Sequence, residues 1–194
     1  MAPVAGNWHG QDSRRVVPRD CEADAREGRA LVVVLGLDLG TTTGWALYRE
    51  SALHVDQGGV SDSGVWNLHP PRTGAPGYRY REFNTLVRGK IVKDSVTLVA
   101  YEDVKAHAGT LAAHAYGGFL AVLEVACGDL GVCALGVGVG SVKKYATGKG
   151  NADKELMVLA ARRRWPEWKR EKYDHNEADA RWIAELGAMG VHDE

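Results

Sequence analysis

Two acidic residues follow strongly apolar runs in this sequence, where a carboxylate is unusual. Asp38 ends the run ALVVVLGLD, which begins at Ala30, and Glu102 ends the run SVTLVAYE, which begins at Ser95. A charge at the end of a buried strand is costly unless it is paired, hydrogen-bonded or bound to metal. Taken alone, each acid is explained as well by a turn cap or a lysine ion pair. If the two strands are neighbours in one sheet, both carboxylates lie at the same edge.

A third acid, Asp179, lies in the segment YDHNEADA, which opens the last predicted helix. Residues three or four apart share a helix face, so Asp179 lies beneath His175 and Asn176, whereas Glu177 points nearly opposite. Asp179 is therefore the preferred ligand. Asp174 is a candidate N-cap that is also close enough in sequence to reach the same site.

Carboxylate and imidazole ligands without cysteine suit Mg²⁺, or Mn²⁺ as its substitute. Two such ions at one site stabilise both the attacking and the leaving oxygen when a phosphodiester is hydrolysed. This chemistry needs a carboxylate cluster and no protein nucleophile. The sequence contains no GxSxG elbow, no Walker A loop and no HExxH pair. The acids therefore predict metal-dependent phosphoryl hydrolysis.

The elements that must position these acids form a mixed α/β pattern. Strands are predicted at 30–38, 45–48, within 55–68, at 95–102 and at 132–139, and helices at 78–93, 110–127, 151–164 and 176–186. The first three strands would form an antiparallel meander, after which helices and strands alternate. We expect a single domain over 30–194, preceded by a flexible extension over 1–29 that has no sustained periodicity.

The bulk composition excludes few functions. The chain has 194 residues, of which 45% are apolar and 25% charged, with a formal net charge of −1, as is ordinary for a soluble globular protein. No apolar run approaches the roughly 20 residues of a transmembrane helix. Three cysteines without a CxxC pair support neither a disulfide framework nor a cysteine zinc site. The simplest interpretation is a protein of the reducing cytoplasm.

Four segments together resemble the RuvC family of Holliday junction resolvases, particularly its bacteriophage-type members. They are GLDLGTTTGWA from Gly36, Tyr101-Glu102 at a strand end, GKGNADK from Gly148 and NEADA from Asn176, in family order between Leu35 and Leu186. The resemblance implies an RNase H-like, mixed five-stranded sheet flanked by helices. It also implies a homodimer with two active sites, which cuts a four-way DNA junction by paired nicks in the cytoplasm of a bacterium or a phage-infected host.

The same resemblance implies roles for individual residues. By that match Asp38, Glu102 and Asp179 are metal ligands, with Mg²⁺ as the expected ion. Lys143 and Lys154 fall where the family keeps lysines near the scissile phosphate, so Lys154 joins the predicted catalytic residues.

The fourth ligand departs from the family pattern. The family usually places Asp or His three residues before its last Asp, and this chain has Asn176 there, with His175 one position earlier. A shift of one residue still leaves His175 over Asp179 on the helix, so His175 is the predicted fourth ligand and catalytic residue. Asp174 and Asn176 are the alternatives.

A basic segment supplies the predicted DNA contacts. The stretch 143–172 contains ten Lys or Arg residues and four acids, which offsets the nearly neutral composition, although a solvated helix surface is the alternative. The residues predicted to bind nucleic acid are Lys143, Lys144, Lys149 and Lys154. Trp165 and Trp168 fit core packing at least as well as base stacking. His107 and His114 are more simply surface or dimer-contact residues than DNA ligands.

Two other functions and one interface remain open. The segment LDLGTTTG also resembles the first phosphate loop of actin-like and sugar-kinase ATPases, with Asp129-Leu130-Gly131 as the second, although those proteins need two such domains. A catalytically inactive RNase H-like module that binds nucleic acid is the other reading. The predicted homodimer would use the small, apolar surface of the second helix, unless that surface packs on its own sheet.

Overall fold

A mixed sheet organises the part of the chain that the computed structural model describes, which is residues 31–51, 58–107, 109–170 and 172–190. Its strands are β1 Val33–Asp38, β2 Thr42–Glu50, β3 Gly58–Asn67, β4 Leu98–Asp103 and β5 Cys133–Gly138. They lie in the order β3-β2-β1-β4-β5. Both β1 with β2 and β2 with β3 are antiparallel, whereas β4 is parallel to β1 and to β5. The predicted mixed sheet, in which an antiparallel meander is followed by alternating helices and strands, is confirmed.

Helices cover both faces of this sheet. They are α1 Tyr78–Asp94, α2 Thr110–Leu130, α3 Val139–Thr147, α4 Lys154–Arg164 and α5 His175–Met189. The helices α1 and α2 bury Phe83, Phe119 and Leu123 on one face. The other three helices enclose a second cluster that includes Trp165 and Ile183. The sheet is thus the middle layer of three.

The alternation of side chains along β1 determines which residues face each of the two helix layers. Leu35 and Leu37 point into the α1/α2 cluster, while Val34 belongs to the α5 cluster. Successive strand side chains point to opposite faces, so Asp38 shares the α5 face with Val34. In β4 the same alternation puts Leu98 and Ala100 on the α5 face.

The helix α5 lies directly on the sheet because glycines leave room for its backbone. A Cβ on Gly36 would clash with the backbone of Ala180 and Ala184, and a Cβ on Gly44 would clash with the carbonyl group of Asn176. Any other residue at these two positions would push the helix away from β1 and β2. The two glycines therefore fix the height of α5 above the strands.

Several predicted boundaries are wrong. The helix α3 was not predicted, and its first residue, Val139, was assigned to the preceding strand, because the helix is only nine residues long and follows β5 without a break. The next helix, α4, begins at Lys154 rather than at 151, since Asp153 is its N-cap and accepts a hydrogen bond from the Leu156 amide (2.8 Å). The last helix continues through Gly187, which was not its end but lies against Ala100. The predicted extension 1–29 lies outside the described residues.

Two expectations from composition also need correction. The helix α2 is long and apolar enough to cross a membrane by length and composition alone. His114, Glu124 and Asp129 interrupt its apolar run, so the sequence shows no continuous apolar segment there. Of the cysteines in the described residues, Cys127 is a buried free thiol, whereas Cys133 is disulfide-bonded.

Candidate active site

Two carboxylates lie side by side at one edge of the sheet. The strands β1 and β4 are parallel and in register, with Leu37 opposite Tyr101, so Asp38 and Glu102 occupy the next pair of positions. Glu102 alternates with Ala100 and therefore shares the α5 face with Asp38. The sequence prediction that both acids meet at this edge is confirmed.

The third carboxylate comes from α5 through the glycine contact described above. Gly44 pairs with Asp38 across the β1/β2 ladder, and the Asn176 carbonyl lies over Gly44. The first turn of α5 is thus held above the end of β1, and Asp179 follows one helical turn after His175. The contact between Gly44 and Asn176 therefore places Asp179 near Asp38 and Glu102.

The three acids interact strongly enough to perturb their protonation. Burial raises the pKa of Asp38 well above its ordinary value, with further contributions from Glu102 and Asp179. Burial and then the charge of Asp179 raise the pKa of Glu102 to about 7. Burial raises the pKa of Asp179 to about 6. Desolvation and like charges both disfavour the ionised form.

Two predicted lysines face these acids. Lys143, from α3, lowers the pKa of both Glu102 and Asp179, and Lys154, the first residue of α4, lowers that of Asp38 and Asp179. Lys144 and Lys149 are exposed on the same basic segment. Lys154 is exposed too, but of the four lysines only Lys143 and Lys154 act on the pKa values of the acids.

Asp174 and His175, two candidates for the fourth ligand, have different surroundings. Asp174 is the N-cap of α5, as expected, and its Oδ1 accepts a hydrogen bond from the Asn176 amide (2.8 Å). Its charge also raises the pKa of Asp38 and Asp179. His175 is the first residue of α5 and is exposed to solvent. Its role as a ligand stays a prediction.

The donor set fits a hard divalent cation. Among the described residues, none donates a hydrogen bond to the carboxylates of Asp38, Glu102 or Asp179 or forms an ion pair with them. Buried carboxylates without partners are costly unless a cation compensates them. In the same part of the chain no three His, Cys, Asp or Glu side chains form a group that could hold a metal as they stand. Metal binding would therefore have to draw these side chains together.

A buried hydrogen-bond network, which the sequence did not reveal, supports the start of α5. The Glu177 carboxylate accepts hydrogen bonds from Ser63 Oγ (2.7 Å), Trp168 Nε1 (2.9 Å) and Arg170 Nη2 (2.7 Å). Burial alone would raise the pKa of Glu177, but these hydrogen bonds lower it below its ordinary value. The prediction that Glu177 points away from Asp179 is confirmed. This orientation on the helix was the feature of the sequence that could have pointed to the network.

Other candidates of the sequence analysis have structural rather than catalytic surroundings. Trp165 and Trp168 are 4% and 3% exposed, which confirms core packing and excludes base stacking. His114 is exposed on α2, and the ring of His107 packs on Tyr116 (4.8 Å between centroids).

The proposed second phosphate loop is wrong. Asp129 and Leu130 form the last turn of α2, and Asp129 pairs with Arg88 of α1. The helix α2 begins just after β4 and runs back along the sheet, so its last turn lies at the end opposite Glu102. The nucleotide-binding reading therefore loses its second loop.

Comparison with known proteins gives the fold independently. No protein-family model and no curated protein sequence matches the chain. Among solved structures it is similar to Thermus thermophilus RuvC in complex with a Holliday junction substrate, with a TM-score of 0.68 and 23% identity over 82% of this chain and 97% of that one. RuvC from Thermus thermophilus by itself gives a TM-score of 0.67 at 23% identity, over 82% and 98% of the two chains. The yeast mitochondrial Holliday junction resolvase Ydc2 gives 0.57 at 14% identity, over 86% and 80%. The chain thus has the RNase H-like fold of these resolvases, as the resemblance implied.

Proposed function

We propose that this protein is a divalent-metal-dependent endonuclease that resolves four-way DNA junctions by paired nicks. The observation that carries the proposal is the cluster of Asp38, Glu102 and Asp179 at one sheet edge, faced by Lys143 and Lys154. The fold adds support, because a RuvC of the same fold has been solved with a Holliday junction substrate. We propose the cytoplasm as its location.

The metal ligands in this proposal are Asp38, Glu102 and Asp179, with Mg²⁺, or Mn²⁺ in its place, as two ions per site. Bound Mg²⁺ supplies Lewis-acid stabilisation of the attacking and leaving oxygens of the phosphodiester. The electrostatic coupling of Asp174 to Asp38 and Asp179 favours Asp174 as the fourth ligand. The sequence prediction was His175, and the two are distinguished by comparing Mn²⁺ binding of Asp174→Asn and His175→Ala.

The lysines neutralise charge that accumulates on the reacting phosphate. Lys154 is the first residue of α4, and its charge is felt by two of the three acids. A cation held there contributes most to turnover, because the phosphate carries most charge in the transition state. Lys144 and Lys149 are exposed and serve as simple phosphate contacts, whose loss weakens binding and lowers its salt dependence.

Paired nicks require two active sites, so we propose a homodimer. The helix α2 presents large apolar side chains to solvent, with Leu111 86% and Val125 60% exposed. Burial of such side chains is the main source of association energy in homodimers. A monomeric mass by light scattering at micromolar concentration would contradict this part of the proposal.

The decisive experiment compares a labelled four-way junction with a linear duplex of the same sequence, with and without Mg²⁺. We expect symmetric nicks in the junction only when Mg²⁺ is present. Glu102→Gln removes a ligand charge and should abolish nicking, while Glu124→Gln makes the same change on the exposed surface of α2 and should not. Metal-independent binding without nicking would instead support an inactive nucleic-acid-binding module.

A further inference from the structure

A single tyrosine side chain joins α2 to the end of β4 at the candidate metal site. The hydroxyl of Tyr116 donates a hydrogen bond to the backbone carbonyl of Glu102 (2.8 Å) and accepts one from the amide of Val104 (3.3 Å). The phenol therefore holds the backbone groups on both sides of Asp103. No other described side chain hydrogen-bonds to the Glu102 backbone.

The two hydrogen bonds lie where β4 leaves the sheet. The strand β4 ends at Asp103, and Val104 no longer belongs to the sheet. Residues beyond a strand end lack the ladder that fixes backbone orientation. Glu102 and Asp103 are still paired with Val137 and Gly138 of β5, whereas the pairing of β4 with β1 ends at Tyr101, so the phenol holds the backbone where β4 has lost one of its two neighbours.

The tyrosine is itself held in place. Its ring is partly buried and the ring of His107 packs on it, with 4.8 Å between centroids at an angle of 47°. The helix α2 is anchored behind it by Phe119, which is fully buried. A phenol is protonated at neutral pH and can both donate and accept, which is the pair of bonds observed.

We propose that Tyr116 is a positioning residue that sets the orientation of Glu102 for metal binding. The inference rests on the proposed function only in taking Glu102 as a metal ligand. Residues that orient metal ligands typically change metal affinity by roughly tenfold or more when they are removed. Tyr116 acts on the backbone of the ligand residue, so we expect the lower end, about tenfold.

The test is Tyr116→Phe, which keeps the ring and removes only the hydroxyl. The matched control is Tyr80→Phe: Tyr80 packs on Phe119 of the same helix (5.1 Å between centroids), and its hydroxyl has no hydrogen bond within the described residues. Mn²⁺ binding to the DNA-free protein is measured from the electron paramagnetic resonance signal of free Mn²⁺. The Mn²⁺ concentration that gives half-maximal single-turnover nicking of a four-way junction is measured beside it.

We expect Tyr116→Phe to weaken Mn²⁺ binding by about tenfold, with nicking restored at high Mn²⁺, and Tyr80→Phe to match wild type in both measurements. Because metal also stabilises a partly unfolded protein, Tyr116→Phe must keep the circular dichroism of folded wild type in the metal-free state for the weaker binding to report positioning. Equal Mn²⁺ binding by Tyr116→Phe and wild type would overturn the positioning role, whether or not the protein nicks junctions. Wild-type protein that binds Mn²⁺ but never nicks would refute the proposed function and leave this inference to be decided by the binding data. Wild type that binds no Mn²⁺ overturns both.

Discussion

The carboxylates of the candidate site should destabilise the metal-free protein, and Glu102→Gln measures by how much. The pKa of Glu102 is about 7 in the folded chain, against an ordinary 4.5. Because the folded state holds this proton more tightly than the unfolded state, stability is highest at low pH and falls as the pH rises from about 4.5 to about 7. Each tenfold difference in proton affinity is about 1.4 kcal/mol. Removing the charge should therefore stabilise the metal-free protein by up to about 3 kcal/mol above neutral pH.

The assay is thermal unfolding in EDTA at about pH 8 and about pH 5. For a domain of this size the gain at the higher pH corresponds to an increase in Tm of about 6 to 12 °C. At the lower pH wild-type Glu102 is already mostly protonated, and the gain should be less than about 1 kcal/mol. Mg²⁺ should stabilise wild type and do so less for the variant.

The control for this experiment is Glu124→Gln, which makes the same chemical change at an exposed position of α2 and should leave Tm unchanged at both pH values. Two results would refute the reasoning. One is a Glu102→Gln protein that is less stable than wild type at about pH 8, and the other is an equal gain at both pH values. Either would mean that the carboxylate is compensated by a partner in the folded protein.

The remaining predictions concern the same edge of the sheet. Asp38→Asn and Asp179→Asn should each abolish junction nicking and retain junction binding in a gel-shift assay with Ca²⁺, because each removes a ligand charge but little volume; near-normal nicking would remove that residue from the site. Lys154→Ala should lower the single-turnover rate at saturating enzyme by about tenfold to a hundredfold, and an unchanged rate would leave it as a surface charge. Gly44→Ala should cost about 1 to 3 kcal/mol in urea unfolding and impair nicking, because its Cβ would clash with the first turn of α5. Gly59→Ala, whose Cβ meets nothing within 4 Å, is the control, and equal costs would contradict the close contact.

Two carboxylates of α5 differ in their role: one stabilises the position of the helix, and the other belongs to the candidate site. Glu177 and Asp179 are two residues apart on α5 and have opposite surroundings. Glu177 is compensated by Arg170, whose Nη2 lies 2.7 Å from its Oε1, and its pKa is lowered. Among the described residues Asp179 has no such partner, and its pKa is raised to about 6. One carboxylate holds the helix in place and the other is available to a cation.

Local patterns in the sequence were enough to predict the central strands and to select Asp38, Glu102 and Asp179 as the candidate acids. The apolar run that ends at Asp38 predicts a buried central strand, because few other structures accept so many β-branched residues in succession. The helical spacing in the last segment separated Asp179 from Glu177 correctly, since side-chain direction on a helix follows from its periodicity alone. Both are local properties, which depend only on the types and spacing of neighbouring residues.

The way in which these elements meet could not be predicted from the sequence, because it depends on contacts between distant residues. The helix α3, which brings Lys143 to Glu102 and Asp179, is only nine residues long and follows β5 without a break, so no turn signal in the sequence separates the two elements. The hydrogen bonds of Glu177 with Ser63, and of Tyr116 with Glu102, join residues that are 114 and 14 positions apart. No periodic pattern in the sequence predicts these hydrogen bonds. They exist because the sheet and the glycines beneath α5 bring the partners within a hydrogen bond of one another.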